Sequence, residues 1–325
     1  MIVVLKPSKT ITIIDTSILY LIIYLRCVKN YTSSMSSFNY KSLHRNPNFL
    51  QYFESEFRRE IGNLLRIDNN STYNNMIFVR DTPIAHNWRK LSITNSYKSN
   101  RKPMTEFDPG VHNFFWNKLM PRLGLELGIK IIYCEPLEAD DIVYLIVQKL
   151  RDIYPETKIN IITNDRDYLQ IADHKTSVYK TNGRLLESTL GDSLFDRAIK
   201  ILSGDTSDYI KPIYRGCGEL TAYKLLKKLY LPKNYQESVL AEKELVDKQL
   251  LGEMFQQDLL NTSNLGERIF MLLTKDRREK GNDTPKTIAN NLEINARLID
   301  LSRIPEKYKE DLFNKYIFSE KYGSI

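Results

Sequence analysis

The residues of this chain whose types and spacing could do chemistry are carboxylates at the ends of apolar runs. TITIID delivers Asp15, NMIFVRD delivers Asp81, and KINIITND delivers Asp165 with Asp167 just beyond. Glu138, Asp140 and Asp141 open the helical stretch that follows a further run, IKIIYCE, and Asp205 and Asp208 stand in GDTSD. In an open α/β sheet, ligands bind outside the carboxyl ends of the strands, so these distant acids are expected to converge. Carboxylates crowded into one cleft raise one another's pKa unless cations compensate. Hard oxygen donors, in a chain with only 4 histidines, suit Mg²⁺ or Mn²⁺ rather than zinc. Two such ions about 3.5–4 Å apart can activate a water and stabilise the leaving oxygen of a phosphodiester. Taken singly, Asp15 and Asp165 read as helix caps or turn residues. Their occurrence in chain order with EADD and GDTSD favours a shared metal site.

The elements that must position these acids alternate. Strands are expected at 10–15, 75–81, 129–135 and 158–165. An all-round apolar helix follows Asp15, an amphipathic one covers Phe49 to Leu65, and Ala139, Ile142, Val143, Ile146, Val147 and Leu150 share one helical face. This pattern predicts an α/β core with a mostly parallel sheet flanked by helices. Phe195, Ala198, Ile199 and Leu202 mark a helix closed by Gly204. Beyond it the chain is expected to be helical, without strands, so a boundary is placed near residue 200: a core over 1–200 and a helical region over 201–325. Residues 29–75, rich in Asn, Ser and Tyr, read as spacer or partner surface around the one helix. Tyr20, Tyr24, Phe114, Phe115 and Trp116 are expected in the core.

Composition narrows the function class. The 325 residues carry 47 Lys plus Arg against 40 Asp plus Glu, a net charge of +7, which favours polyanionic partners, nucleic acid first. Three dispersed cysteines, without a CxxC, argue against a zinc site or a disulfide scaffold. The apolar run Ile11 to Leu25 holds Asp15 and is too short to cross a bilayer comfortably. A soluble protein of the cytoplasm or nucleus, neither secreted nor membrane-bound, is the expectation.

The ordered set IIDTS, FVRD, WRK…YKSNRK, EPLEADD, ITNDRDYLQIA and GDTSDYIKPIYRGCGELTAYKLL resembles the structure-specific 5′ nucleases. These are the flap endonucleases, the 5′–3′ exonuclease domains of bacterial DNA polymerase I, and the phage 5′ exonucleases and ribonuclease H-type enzymes. The resemblance covers roughly residues 11–228. It implies metal-site roles for Asp15, Asp81, Glu138, Asp140, Asp165, Asp167 and Asp205, with Asp141 and Asp208 matching extra acids of the bacterial and phage branch. The basic segment within about 82–118 matches the family's helical arch or clamp. There Lys98 and Arg101 match phosphate-contacting positions and Arg89 the arginine upstream, while Lys102 adds charge.

Residues 205–228 resemble the helix–three-turn–helix element that holds duplex backbone. Gly216 and Gly218 would let the chain approach phosphates, with Lys211, Arg215, Lys224, Lys227 and Lys228 around them. The resemblance also admits K⁺ at that loop. The segment departs from the family pattern at Asp208-Tyr209-Ile210, at Pro212, and in a loop one residue longer.

The function so implied is a two-metal 5′–3′ exonuclease or flap endonuclease acting on branched or 5′-ended DNA, with RNA–DNA hybrids as a further substrate class. A role in replication, repair or recombination follows from the resemblance alone. A monomer is the default, and no docking motif for a replication clamp or polymerase stands out beyond residue 260. Two other readings stay open: a ribonuclease of the PIN-domain class, and a non-catalytic DNA-binding protein on the same fold. The acids argue against the second and the glycine-turn segment against the first.

Overall fold

The computed structural model describes residues 2–4, 10–33, 39–67, 72–102, 107–231, 248–275 and 283–319. The chain forms two compact units, interleaved in sequence: residues 1–83, 102–186 and 305–325 make the first, and 84–101 with 187–304 the second. A contiguous division near residue 200 remains a proposal about which stretch carries which task. The segment expected as an arch includes residues 103–106, which lie outside the described residues.

In the first unit, five parallel strands stand in the order β4-β3-β2-β5-β6: β2 (Thr10–Asp15), β3 (Met76–Val79), β4 (Lys130–Ile132), β5 (Lys158–Ile162) and β6 (Thr176–Tyr179). β2 pairs with β3 on one side, Ile13 opposite Ile77, and with β5 on the other, Ile13 opposite Ile161. The chain winds outward from β2 in one direction and then from β5 in the other. The topological switch point therefore falls between β2 and β5, where such sheets bind ligands. A separate parallel pair joins β1 (Ile2–Val4) to β7 (Ile317–Ser319).

β2 and β3 are buried at every position, as expected of strands covered on both faces. One face packs against α1 (Thr16–Thr32), α2 (Pro47–Leu64), a π-helical turn (Phe115–Leu119) and α5 (Met120–Leu127), through Ile14, Met76, Phe78 and Ile162. Two shorter helices, α3 (Trp88–Ser92) and α4 (Pro109–Phe114), precede that turn. α6 (Ala139–Ile153) packs on β2 and β3, with Ile142, Val143, Ile146, Val147 and Leu150 buried as the periodicity required. Burying each such side chain contributes about 1.5–3 kcal/mol.

All four anticipated strands form, β2 over its whole run and the other three shorter than theirs. β6 and the β1–β7 pair are additions that the sequence pattern did not disclose. The spacer reading of 29–75 is corrected: Leu43, Phe49, Phe53, Phe57 and Ile61 are fully buried in the core of this unit. Tyr20, Tyr24, Phe115 and Trp116 are core residues too.

The second unit is helical: α7 (Ser193–Ser203), α8 (Glu219–Tyr230), α9 (Lys248–Asp258), α10 (Thr262–Lys275) and α11 (Pro285–Ile299), around a core that includes Phe195, Leu202, Ile213 and Phe255. α7 ends at Gly204, whose φ of 75° suits glycine, and where a Cβ would meet the Ile210 carbonyl oxygen at 2.4 Å. The last helix, α12 (Glu306–Lys315), belongs to the first unit.

Candidate metal centre

Asp15 is the last residue of β2 and the N-cap of α1 at once. One carboxylate oxygen accepts from the Ile18 amide at 3.3 Å, and the other from the Thr163 hydroxyl at 3.2 Å and the Tyr168 hydroxyl at 3.1 Å. Thr163 follows β5, and its Oγ1 also accepts the Asp165 amide at 3.1 Å. Both sides of the switch point are thereby tied to the same carboxylates. Asp165 in turn caps a 3₁₀ turn, accepting from the Asp167 amide at 2.9 Å. The cap reading of these residues holds, and it is compatible with the site reading, because capping fixes the backbone that presents the carboxylates.

Asp81 follows β3. Its amide donates to Ser17 Oγ at 3.2 Å, and its Oδ1 accepts from the Ala139 amide at 2.8 Å, which pins the start of α6 to the sheet rim. At that start, Glu138 is the N-cap and Asp141 completes a capping box by accepting the Glu138 amide at 3.1 Å. Asp140 accepts the Asp141 amide at 2.8 Å. Glu138, Asp140 and Asp141 can each bring a carboxylate oxygen within 4.8 Å of the others. Asp141 is fully buried and spends an oxygen on its cap, so it positions Glu138 as much as it offers a ligand atom.

These acids also act on one another electrostatically. Burial, followed by the charge of Asp81 and then that of Asp165, raises the Asp15 carboxyl from 3.8 to about 8, against the lowering effect of its bonds from Ile18 and Tyr168. The Tyr168 hydroxyl is also held well above its usual range, first by burial and then by Asp15, Asp140, Asp81 and Asp165 together. Four acids from four chain segments thus act on one phenol. A hard divalent cation would relieve this crowding, and an all-oxygen donor set fits one.

The acids of the second unit have a different setting. Asp205 pairs with Lys200 at 2.8 Å and accepts from the Ser207 hydroxyl at 2.6 Å. Burial acts upward on it, but Lys200 and Ser207 outweigh burial and hold its pKa below the ordinary carboxylate value. Asp208 accepts from Arg101 at 2.7 Å and from the Tyr97 hydroxyl at 3.4 Å, and lies 3.8 Å from Lys98 Nζ. Its carbonyl accepts the Lys98 amide at 2.9 Å, where Lys98 has the left-handed φ of 54°. Asp208 therefore anchors the YKSNR segment. These cation partners give Asp208 a structural task as well, and its expected part in metal binding stays a proposal.

Arg89 requires a correction too. It is only 1% exposed, its Nε donates to the Leu298 carbonyl at 2.9 Å, and its guanidinium lies over the Trp88 ring. These contacts make it a packing residue rather than a group presented to phosphate. Lys98 is buried beside Asp208 and Tyr97, whereas Arg101 and Lys102 are exposed. In the 205–228 segment, Lys211, Arg215, Gly216, Gly218, Lys224 and Lys228 are exposed, and Lys227 lies over the Tyr223 ring at 4.4 Å. Gly216 has a φ of 84°, and Gly218 opens α8 without a side-chain cap. Tyr168 and Thr163 were not singled out from sequence; the usable signal was their place within the ITNDRDY motif, either side of Asp165.

A profile described as the 5′-3′ exonuclease, N-terminal resolvase-like domain matches residues 11–197. The chain belongs to the 5′–3′ exonuclease family. A curated 5′-3′ exonuclease of Bacillus subtilis (strain 168) is 36% identical to this family member over 150 residues, or 42% of this chain and 46% of that relative. The match thus spans about half the length of that protein. Among solved structures, the bacteriophage T5 D15 protein co-crystallised with metal ions superposes with a TM-score of 0.52 at 16% identity, covering 94% of this chain and 98% of that one. The T5 D15 flap endonuclease in a pseudo-enzyme–product complex with DNA and metal ions gives 0.51, again at 16% identity and the same coverage. At that identity the likeness is one of fold: the exonuclease-family chain shares the T5 architecture.

Proposed function

We propose that this chain is a divalent-metal-dependent 5′ nuclease that hydrolyses phosphodiesters of branched or 5′-ended DNA, with RNA–DNA hybrids as a second substrate class. The observation that carries the reading is Asp15, buried at the switch point with no cationic partner among the described residues, its carboxyl pushed up by burial and then by Asp81 and Asp165. Family membership and the T5 complex with DNA and metal ions support it.

Asp15, Asp81, Glu138, Asp140, Asp165 and Asp167 would hold the ions, with Mg²⁺ or Mn²⁺ the fitting choice for carboxylate oxygens. Bound there, the ions would supply an activated water and charge to stabilise the leaving oxygen. The protein's own work is to hold and orient. Caps and Tyr168 fix Asp15, the Ala139 amide fixes Asp81, and Asp141 fixes Glu138. For Asp205 the metal role follows from its place in the motif order.

Arg101, Lys102 and the exposed cations of 205–228 would hold backbone phosphates without reading bases. Lys98 and Asp208 would keep the Arg101 loop in shape. A K⁺ at the 205–218 loop belongs to the same reading and would show as K⁺-dependent duplex binding.

The test is a panel of 5′-flap, nicked duplex and RNA–DNA hybrid substrates, cut with Mg²⁺ or Mn²⁺ and with EDTA as control. Metal-dependent release of products bearing 5′-phosphate from the flap supports the proposal. No cleavage of any substrate under any metal would refute it.

A further inference from the structure

Arg80, the residue between β3 and Asp81, is a cation that the metal-centre chemistry does not use. Its guanidinium carbon lies 4.7 Å from the centroid of the Trp116 ring and 4.9 Å from that of Tyr133. Both rings are themselves held. Trp116 Nε1 donates to His112 Nε2 at 3.0 Å, and the Tyr133 hydroxyl donates to Glu135 at 3.0 Å. Trp116 rides on the π-helical turn Phe115–Leu119, a feature that recurs at functional sites.

Cation–π contact draws on the charge of a guanidinium but satisfies none of its five N–H donors. Among the described residues no carboxylate forms an ion pair with Arg80, and no hydrogen bond from its side chain is made to another group. Structural arginines of this chain are different: Arg89 donates to the Leu298 carbonyl, and Arg197 to the Asp300 carboxylate. Among the described residues, then, this half-buried guanidinium one residue from a metal-site acid keeps donors to offer an incoming acceptor. The planar fork suits a phosphate or carboxylate taken bidentately, and the neighbouring acids make a carboxylate ligand the poorer choice. Lys315 is a second cation at Tyr133, its Nζ 5.4 Å from the ring centroid and donating to the Tyr133 carbonyl at 2.7 Å.

We infer that Arg80 binds a backbone phosphate of the nucleic-acid strand, presented for that contact by Trp116 and Tyr133. The inference rests on the nuclease reading and deepens it by naming a phosphate contact within the first unit. The competing reading is that Arg80 only pins two aromatic rings.

Arg80→Gln and Arg80→Lys are compared with wild type for binding of a 5′-flap DNA in Ca²⁺, across a salt series, with thermal melts alongside. We expect Arg80→Gln to bind about 5–10-fold more weakly and to lose about 1 from the slope of log K against log salt. Arg80→Lys should regain the slope and part of the affinity, since it keeps the charge and loses the fork. If Arg80→Gln melts below the assay temperature, Arg80→Lys decides alone: affinity equal to wild type overturns the inference. For a folded Arg80→Gln, wild-type affinity and slope overturn it, whether or not the melting temperature falls. Failure of the nuclease reading is separately visible, because wild type itself would then not cut the flap.

Discussion

The Asp15 rim of the first unit and the Asp205–Asp208 turn of the second are built from the same side chains and come to opposite states. Asp15 is nearly fully buried, with acids as its charged neighbours, and its carboxyl is raised to about 8. Asp205 and Asp208 are met by Lys200, Lys98 and Arg101, and Asp205 is held below its ordinary value despite burial. An aspartate answered by lysine or arginine already has its counter-charge and serves as an anchor. One answered only by other acids requires a cation from outside.

The sharpest way to break that contrast is to remove one acid from each region. Asp165→Asn should lower flap cleavage by about 10³-fold or more while leaving flap binding in Ca²⁺ within a few-fold, because it removes a ligand of the reacting centre and no phosphate contact. Single-turnover kinetics check this, and a variant cutting at the wild-type rate would remove Asp165 from the centre. Asp208→Asn should act in the reverse sense. It removes a carboxylate that buried Lys98 and Arg101 share, so melting should fall, by about 1–3 kcal/mol of stability, and flap binding should weaken. Mn²⁺ affinity should not change. A loss of Mn²⁺ binding in Asp208→Asn, at unchanged melting temperature, would return Asp208 to the metal ligands.

A third expectation concerns pH. The folded-state pKa of Asp15 lies above its unfolded value of 3.8, so the stability its neutral form contributes is complete below about 4 and is lost as pH rises towards about 8. The metal-free melting temperature should therefore fall over that window by more in wild type than in Asp15→Asn. Added Mg²⁺ should raise it most at the alkaline end. Calorimetric melts from pH 5 to 8, with and without metal, check both signs. The smallest effects belong to the exposed cations: Lys211→Ala or Arg215→Ala should each reduce the salt slope of duplex binding by about 1, with cleavage of a short flap little changed.

What was legible in the sequence follows from the same physics. TITIID and KINIITND announce β2 and β5 because strands covered on both faces are rich in isoleucine and other β-branched residues, and their terminal acids stand out against that background. β6 escaped notice because Thr176–Tyr179 is an edge strand, alternately buried and half-buried, preceded by lysine and too short to show a period. The role of α2 was half visible: Phe49, Phe53 and Phe57 recur at helical spacing, yet the polar residues around them suggested a spacer. Charge was the least transparent quantity. Arg89 and Arg101 look alike in a basic segment, and only packing separates the arginine that caps the Leu298 carbonyl from the one that reaches Asp208. Arg80 was passed over for the reason that now draws attention to it, as a cation set directly beside an acid expected to bind metal.

The centre itself is tested most directly by titrating Mn²⁺ into the purified protein at pH 7 in buffers of differing ionisation enthalpy. Wild type should bind saturably and release protons, since Asp15 is largely protonated below about 8 and must ionise to take a cation. Asp15→Asn should bind more weakly and release fewer. Equal affinity and equal proton release in the two proteins would mean that the strand-end acids do not share a cation, and the metal centre described above would not exist.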